Sequence, residues 1–298
     1  MNEIRNDSNC STFHVDLLHT VSAGRRLAKV PLCLLIACST AFGASLAPGS
    51  SLSSGWAVSV GVFLLAMGAA TLNSLQEVAS DSLMQRTRNR PLVRGELSVK
   101  FAALQTALLI CSGMAILQLA SISGVSPGLG FVALFLYNGF YTPLKKVTLY
   151  ALVPGAICGA IPPLIGLAAM GGELLSHQAL LLFALLILWQ IPHFFLVQLQ
   201  HKHDYLASVQ PSFLQKFSET GLRKLAVVWI SSLGFVMLLF TISPMVESFR
   251  QCGLIGLNAA IFTIMISRQL LLQKSRNYKM LFISLNTMLV FHMLILSF

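Results

Sequence analysis

A chain of 298 residues that is 55% hydrophobic and only 10% charged cannot fold its apolar residues inside a water-soluble globule. A formal net charge of +10 would suit nucleic acid, but the basic residues lie between long apolar runs, a placement that accounts for the charge without that partner. The cysteines at positions 10, 33, 38, 111, 158 and 252 lack metal-ligand spacing and mostly sit in or beside apolar runs, so neither a zinc site nor a disulfide framework is expected.

Residues 1–27 are polar and carry Glu3, Asp7 and Asp16, a composition unlike an arginine-rich, acid-poor mitochondrial transit peptide. Arg25, Arg26 and Lys29 precede an apolar run, as in a secretory signal peptide, but the leader is long and the run continues to about residue 48. The segment is therefore read as a cytoplasmic tail followed by a retained first span. Runs long enough to cross a bilayer follow at roughly 28–48, 55–75, 100–120, 126–142, 149–170, 178–199, 224–243, 251–269 and 279–297. The expectation is an all-α polytopic membrane protein with nine transmembrane helices in one domain, residues 1–298. With the N-terminus inside, 19 of the 20 Lys and Arg residues fall in cytoplasmic segments and Arg250 alone falls outside. That asymmetry predicts a cytoplasmic N-terminus and an external C-terminus.

The stretch from Asn73 to Gly95 begins where the second apolar run stops. Asn73, Glu77 and Asp81 are spaced by four, so a continuing helix would project all three from nearly one face. Arg86, Arg88, Arg90 and Arg94 follow closely. Carboxylates do not bind phosphate directly, but they can hold Mg²⁺, and Mg²⁺ with arginine can hold a diphosphate. The sixth run ends in Gln200-x-x-x-Asp204-Tyr205, a weak echo of Gln76-Glu77-x-x-x-Asp81 that would set two acidic helix ends across a common cavity. Between them, Tyr141-Thr-Pro-Leu-Lys145-Lys146 supplies two cations to a short cytoplasmic turn. The fifth run carries Gly155, Gly159, Pro162, Pro163 and Gly166, where the paired prolines are expected to break the helix and line a cavity. Trp189-Gln190-x-Pro192-His193 places an ionisable ring in an apolar run, which is costly unless it meets a polar cavity. His292, alone in the last run, is read as a packing residue.

Taken in order, these residues resemble the UbiA-type intramembrane prenyltransferases. The resemblance rests on Asn73-x-x-x-Glu77-x-x-x-Asp81 with Arg86-Thr87-x-Asn89-Arg90-Pro91-Leu92 and Gly95, then Tyr141-Thr-x-Leu-Lys145 and Gly159-Ala-x-Pro162-Pro163-x-x-Gly166. Trp189-Gln190-x-Pro192-His193-Phe194 and Asp204-Tyr205 complete it. The Arg86–Leu92 portion is similar to the protoheme IX farnesyltransferase (haem O synthase) branch. Departures are Glu77 where the family commonly has Asp, Ala79 where a further Asp is frequent, and the stretch after Tyr205.

The resemblance implies a helical bundle around a central cavity open to the lipid, in a bacterial cytoplasmic (inner) membrane. It implies farnesyl diphosphate and haem b as substrates, Mg²⁺ as cofactor, and a haem A synthase or terminal oxidase downstream. Asn73, Glu77, Asp81 and Asp204 would hold the metal. Arg86, Arg90 and Lys145 would bind diphosphate, with Tyr141, Gln190 and Gln200 in the substrate site and His193 touching haem. Another aromatic or quinone-precursor acceptor is the alternative for the same chemistry, and a nine-span transporter is the alternative outside it.

Overall fold

The computed structural model describes residues 18–47, 52–122, 124–208, 210–244, 246, 248–272 and 277–297. Residues 1–17 of the expected tail, and Phe298, lie outside them. The described elements are helical. In chain order they are α1 (Leu18–Leu27), α2 (Val30–Ser45), α3 (Leu52–Gln76), α4 (Val78–Asp81), α5 (Val99–Ala120), α6 (Val125–Leu134), a π-helix (Phe135–Tyr141) and α7 (Thr142–Leu144). There follow a 3₁₀ turn (Leu149–Ala151), α8 (Leu152–Ala169), α9 (His177–Gln200), α10 (Lys202–Ala207), α11 (Phe213–Lys216), α12 (Glu219–Leu239), a 3₁₀ turn (Phe240–Ile242), α13 (Phe249–Leu272) and α14 (Tyr278–Leu296).

Among these, 7 helices are long and apolar enough to cross a membrane, or 8 with the pair α1–α2, which is bent by 53°. The nine expected from hydropathy are not reached on that measure. The run expected as the fourth span divides into α6, the π-helix and α7. It nonetheless runs from the end of the bundle where Ile122 N–H donates to Ala169 O (3.0 Å) to the end where Lys146 Nζ donates to Gln76 O (2.8 Å). Residues 18–27, expected as tail, form α1 instead. Pro31 then sits in the first turn of α2, where its missing N–H breaks no helical bond.

The paired prolines do not break α8, which runs from Leu152 to Ala169 with Pro162 and Pro163 inside it. Helix α2 packs closely against this stretch. A Cβ on Gly43 would stand 1.9 Å from Pro163 O, and one on Gly166 would stand 2.0 Å from Thr40 O. Only small residues allow backbones that near, and in lipid such packing replaces the hydrophobic effect as the force between helices. Around this pair α3 packs along α5 and α2, and α9 is covered by α8, α12 and α14. Buried apolar residues form one large core through these helices. Leu34, Leu35, Leu104, Leu108, Val228 and Phe235 point outward, as a hydrocarbon surround requires. A second small cluster (Ala23, Leu27, Leu92, Leu97 and Ala102) seats the loop between α4 and α5 on α1. Arg26 pairs with Glu96, and Gln105 Nε2 donates to Gly24 O at 3.1 Å, so this arginine-bearing loop is held in place.

Candidate active site

Helix α3 ends at Gln76, Glu77 leaves helical geometry (φ −114°, ψ 6°), and α4 adds a single turn to Asp81. Asp81 N–H still donates to Glu77 O at 2.8 Å, so the break does not destroy the spacing of four. Asn73, Glu77 and Asp81 are 1%, 4% and 5% exposed. Carboxylates buried so far must be paired. Lys145 Nζ lies 2.7 Å from Glu77 Oε1, and Arg90 Nη1 pairs with Asp81 Oδ2 while standing 3.9 Å from Glu77 Oε2. Lys29 Nζ donates to Asn73 Oδ1 at 3.1 Å, and Asn73 Nδ2 donates to Thr142 Oγ1 at 3.1 Å. Burial pushes the Asp81 carboxyl above the usual range, with Arg90 opposing the shift. Burial likewise lowers the Lys145 ammonium, and Glu77 opposes that.

The π-helix brings the opposite wall to this cluster. Asn138 Nδ2 donates to Ala69 O (3.0 Å) and to Gln76 Oε1 (3.1 Å), while Gln76 Nε2 donates to Asn138 O (3.0 Å). The widened turn stacks Tyr137 on Tyr141 with ring centroids 5.6 Å apart, and Lys145 Nζ lies 4.9 Å from the Tyr141 ring. Thr87 Oγ1 donates to Asp81 O at 2.9 Å and ties the arginine loop down.

These groups form one end of a cavity of about 420 Å³. Its polar end holds Lys29, Asn73, Glu77, Asp81, Arg86, Arg90 and Lys145; its far end is walled by Val62, Leu65, Leu134 and Ile165. Leu32 lines the cavity and is also half exposed, which places an opening beside α2. Four cations face two carboxylates, an excess that suits a multiply charged anion. The donor set also fits Mg²⁺, which is commonly held by one or two carboxylates together with substrate phosphates. An all-protein cage is not available, since no three His, Cys, Asp or Glu residues cluster for a metal among the described residues.

Of the expected site residues, Asn73, Glu77, Asp81, Arg86, Arg90, Tyr141, Lys145 and Gln190 come together on this cavity. Asp204, Gln200 and His193 are not among its lining residues. Asp204 Oδ2 instead accepts from Arg86 N–H at 3.2 Å, so the expected second acidic helix end anchors the arginine loop. Gln200 is exposed at the end of α9. The face of α9 turned to the cavity carries Gln190, Phe194 and Gln198, at steps of four. His193 lies about 60° around the helix from Gln190, where it packs on Trp189 (4.8 Å between centroids) and on Phe282 of α14 (4.6 Å).

Sequence reasoning missed Lys29, Tyr137 and Gln198. Gln198 was within reach, being two steps of four beyond Gln190; its Oε1 accepts from Phe213 N–H at 3.0 Å and holds α11 over the cavity. Lys29 and Tyr137 meet the site only through tertiary packing.

Comparison with known proteins adds an independent line. The pattern of the UbiA prenyltransferase family matches residues 34–288. The protoheme IX farnesyltransferase of Geobacter sulfurreducens is 40% identical over 209 residues, covering 70% of this chain and 76% of that protein. The protein of the same name from Nitratidesulfovibrio vulgaris strain DP4 is 32% identical over 252 residues, covering 82% and 87%. Among solved structures, a digeranylgeranylglyceryl phosphate synthase superposes with TM-score 0.74 at 14% identity, covering 93% of this chain and 97% of that one. A UbiA homologue from Archaeoglobus fulgidus bound to GPP and Mg²⁺ gives TM-score 0.66 at 18% identity, covering 93% and 100%. These two show the same fold. With the family pattern matched over most of its length and relatives this similar, the chain belongs to the UbiA prenyltransferase family.

Proposed function

We propose that the chain transfers the farnesyl group of farnesyl diphosphate to a vinyl group of haem b, with addition of water, giving haem O. One observation carries the chemistry: two buried carboxylates and four cations share the polar end of an otherwise apolar cavity. The names of the relatives supply the acceptor and the prenyl length. Arg86, Arg90 and Lys145 would bind the phosphate oxygens, leaving the isoprenoid chain along Leu65, Leu134 and Ile165. Asn73, Glu77 and Asp81 would hold Mg²⁺, which supplies charge neutralisation for a departing diphosphate. As the C–O bond breaks, both electrons leave with the diphosphate, and the arginines and Lys145 stabilise that developing charge. The Tyr137, Tyr141 and Phe194 rings line the cavity, where they would face the allylic carbocation and keep bulk water from it. The vinyl π pair then forms the new C–C bond. Water adds to the cation next to the porphyrin and loses a proton. We place the polar end on the cytoplasmic side of a bacterial inner membrane, the side to which 19 of the 20 basic residues map, and treat residues 1–298 as one catalytic domain.

The test is incubation of the purified chain with haem b, farnesyl diphosphate and Mg²⁺, with the pigment analysed by mass. Haem carrying one farnesyl group and one hydroxyl group is the expected product. Unchanged haem, with prenylation of a hydroxybenzoate or quinone precursor offered in parallel, would reassign the acceptor.

A further inference from the structure

Lys29 occupies the two-residue break between α1 and α2 with φ 52° and ψ 44°. It is the one non-glycine residue of positive φ among the described residues. Left-handed backbone is unfavourable for a lysine and free to a glycine, so holding a lysine there calls for a reason in its side chain. Its carbonyl accepts from Leu32 N–H (3.0 Å) and Cys33 N–H (3.2 Å), so the backbone alone starts α2 and any residue would serve that purpose. The side chain turns into the cavity and its ammonium reaches Asn73 Oδ1 at 3.1 Å.

The charges around it distinguish Lys29 from Arg90 and Lys145. Arg90 and Lys145 are ion-paired with Glu77 and Asp81. The Lys29 ammonium meets a neutral amide oxygen, the weakest acceptor in the cluster. That oxygen is also one of the donors that a metal would take, and a divalent cation bound there would repel the ammonium beside it. Loading the site therefore frees Lys29 Nζ beside an incoming polyanion.

We propose that Lys29 is a diphosphate-binding residue, held at the bend between α1 and α2 so that its ammonium passes from Asn73 Oδ1 to a phosphate oxygen when substrate binds. The inference rests on the prenyl diphosphate reading above and names a cation for it that lies 44 residues before Asn73 in the chain.

The experiment uses the full chain in detergent and inorganic pyrophosphate as probe, titrated with and without Mg²⁺, on the wild type, Lys29→Gln, Lys29→Gly and Lys29→Arg. Lys29→Gln keeps a donor for Asn73 and removes the charge; Lys29→Gly suits the left-handed backbone and guards against a folding failure. Both should weaken Mg²⁺-dependent pyrophosphate binding about tenfold or more, the loss typical of a charge-assisted bond, while Lys29→Arg stays within about threefold of wild type. Binding of Mg²⁺ alone should be unchanged or tighter in the Gln and Gly variants, which no general loosening of the fold would produce. Wild-type pyrophosphate affinity in folded Lys29→Gln and Lys29→Gly would overturn the proposal and leave a strut to Asn73. A wild-type protein that binds no pyrophosphate would overturn the diphosphate reading and this inference together.

Discussion

Lys145 Nζ stands 2.7 Å from Glu77 Oε1, which fastens the turn after the π-helix to the carboxylate at the end of α3. The length of the glutamate side chain is what spans the gap to Lys145. Removing one methylene withdraws the carboxylate by about 1.5 Å, beyond a direct bond to that ammonium. Glu77→Asp should therefore raise the KM for farnesyl diphosphate roughly three- to tenfold, with a smaller change in kcat. Lys145→Met should cost about 1–3 kcal/mol of stability in detergent unfolding, since the lysine is partly exposed and Arg90 still stands 3.9 Å from Glu77. If Glu77→Asp matches wild type on both constants, the Lys145 contact has no part in substrate binding.

Two glycines meet close neighbours of different stiffness. A Cβ on Gly43 would press on the backbone carbonyl of Pro163 at 1.9 Å, whereas one on Gly159 would meet the Gln190 amide at 1.7 Å. The prolines cannot yield, but the amide can swing away, giving up its 3.4 Å donation to Ala156 O. Gly43→Ala should destabilise the bundle by about 3 kcal/mol or more, by overpacking α2 against α8. Gly159→Ala should stay within about 1 kcal/mol of wild-type stability and lose activity instead, because the displaced amide enters the cavity. Equal unfolding midpoints for the two variants would contradict this reading.

The part of the site built on α3 and the single turn that continues it was legible in the sequence. Steps of four put Asn73, Glu77 and Asp81 on one face, and the same reasoning applied to α9 marks Gln190, Phe194 and Gln198. What could not be read was which neighbour covers each face. His193 lies only about 60° from Gln190, and the packing of α14 on that side is a tertiary fact. Lys29 contacts Asn73 across 44 residues through a backbone conformation that no local signal demands of a lysine. The proline pair misled for a similar reason, since propensity favours a break and close packing by α2 accommodates a continuous helix.

Asp81 and Asp204 should separate cleanly on amide substitution. Asp81 lines the cavity and its carboxylate is paired with Arg90, so Asp81→Asn should abolish Mg²⁺-dependent pyrophosphate binding and reduce turnover by about 10² or more. Asp204 accepts from the Arg86 backbone N–H, and an asparagine oxygen can do the same. Asp204→Asn should therefore retain turnover within about threefold, while Asp204→Ala, which leaves the arginine loop unanchored, should not. Equal loss of metal-dependent binding in Asp81→Asn and Asp204→Asn would return Asp204 to the metal set.

His193 tests how far the Trp189–His193 motif belongs to catalysis. Its ring lies between Trp189 and Phe282, it is absent from the cavity wall, and its Nδ1 has no hydrogen-bond partner in a buried position. A phenylalanine has nearly the same shape and removes the unsatisfied nitrogen, so His193→Phe should be neutral or stabilising by up to about 1 kcal/mol in detergent unfolding. Farnesyl diphosphate binding should stay within about twofold, because the polar end of the cavity is built from α3, α4, the arginine loop, the α1–α2 bend and the turn carrying Lys145. Haem uptake, followed by its absorption spectrum, should be equally unaffected. Loss of haem binding with diphosphate binding intact would place the acceptor against the α9–α14 face and make His193 its contact. Loss of both together with a lowered unfolding midpoint would show instead that the imidazole holds α14 on α9 in a way a phenyl ring cannot.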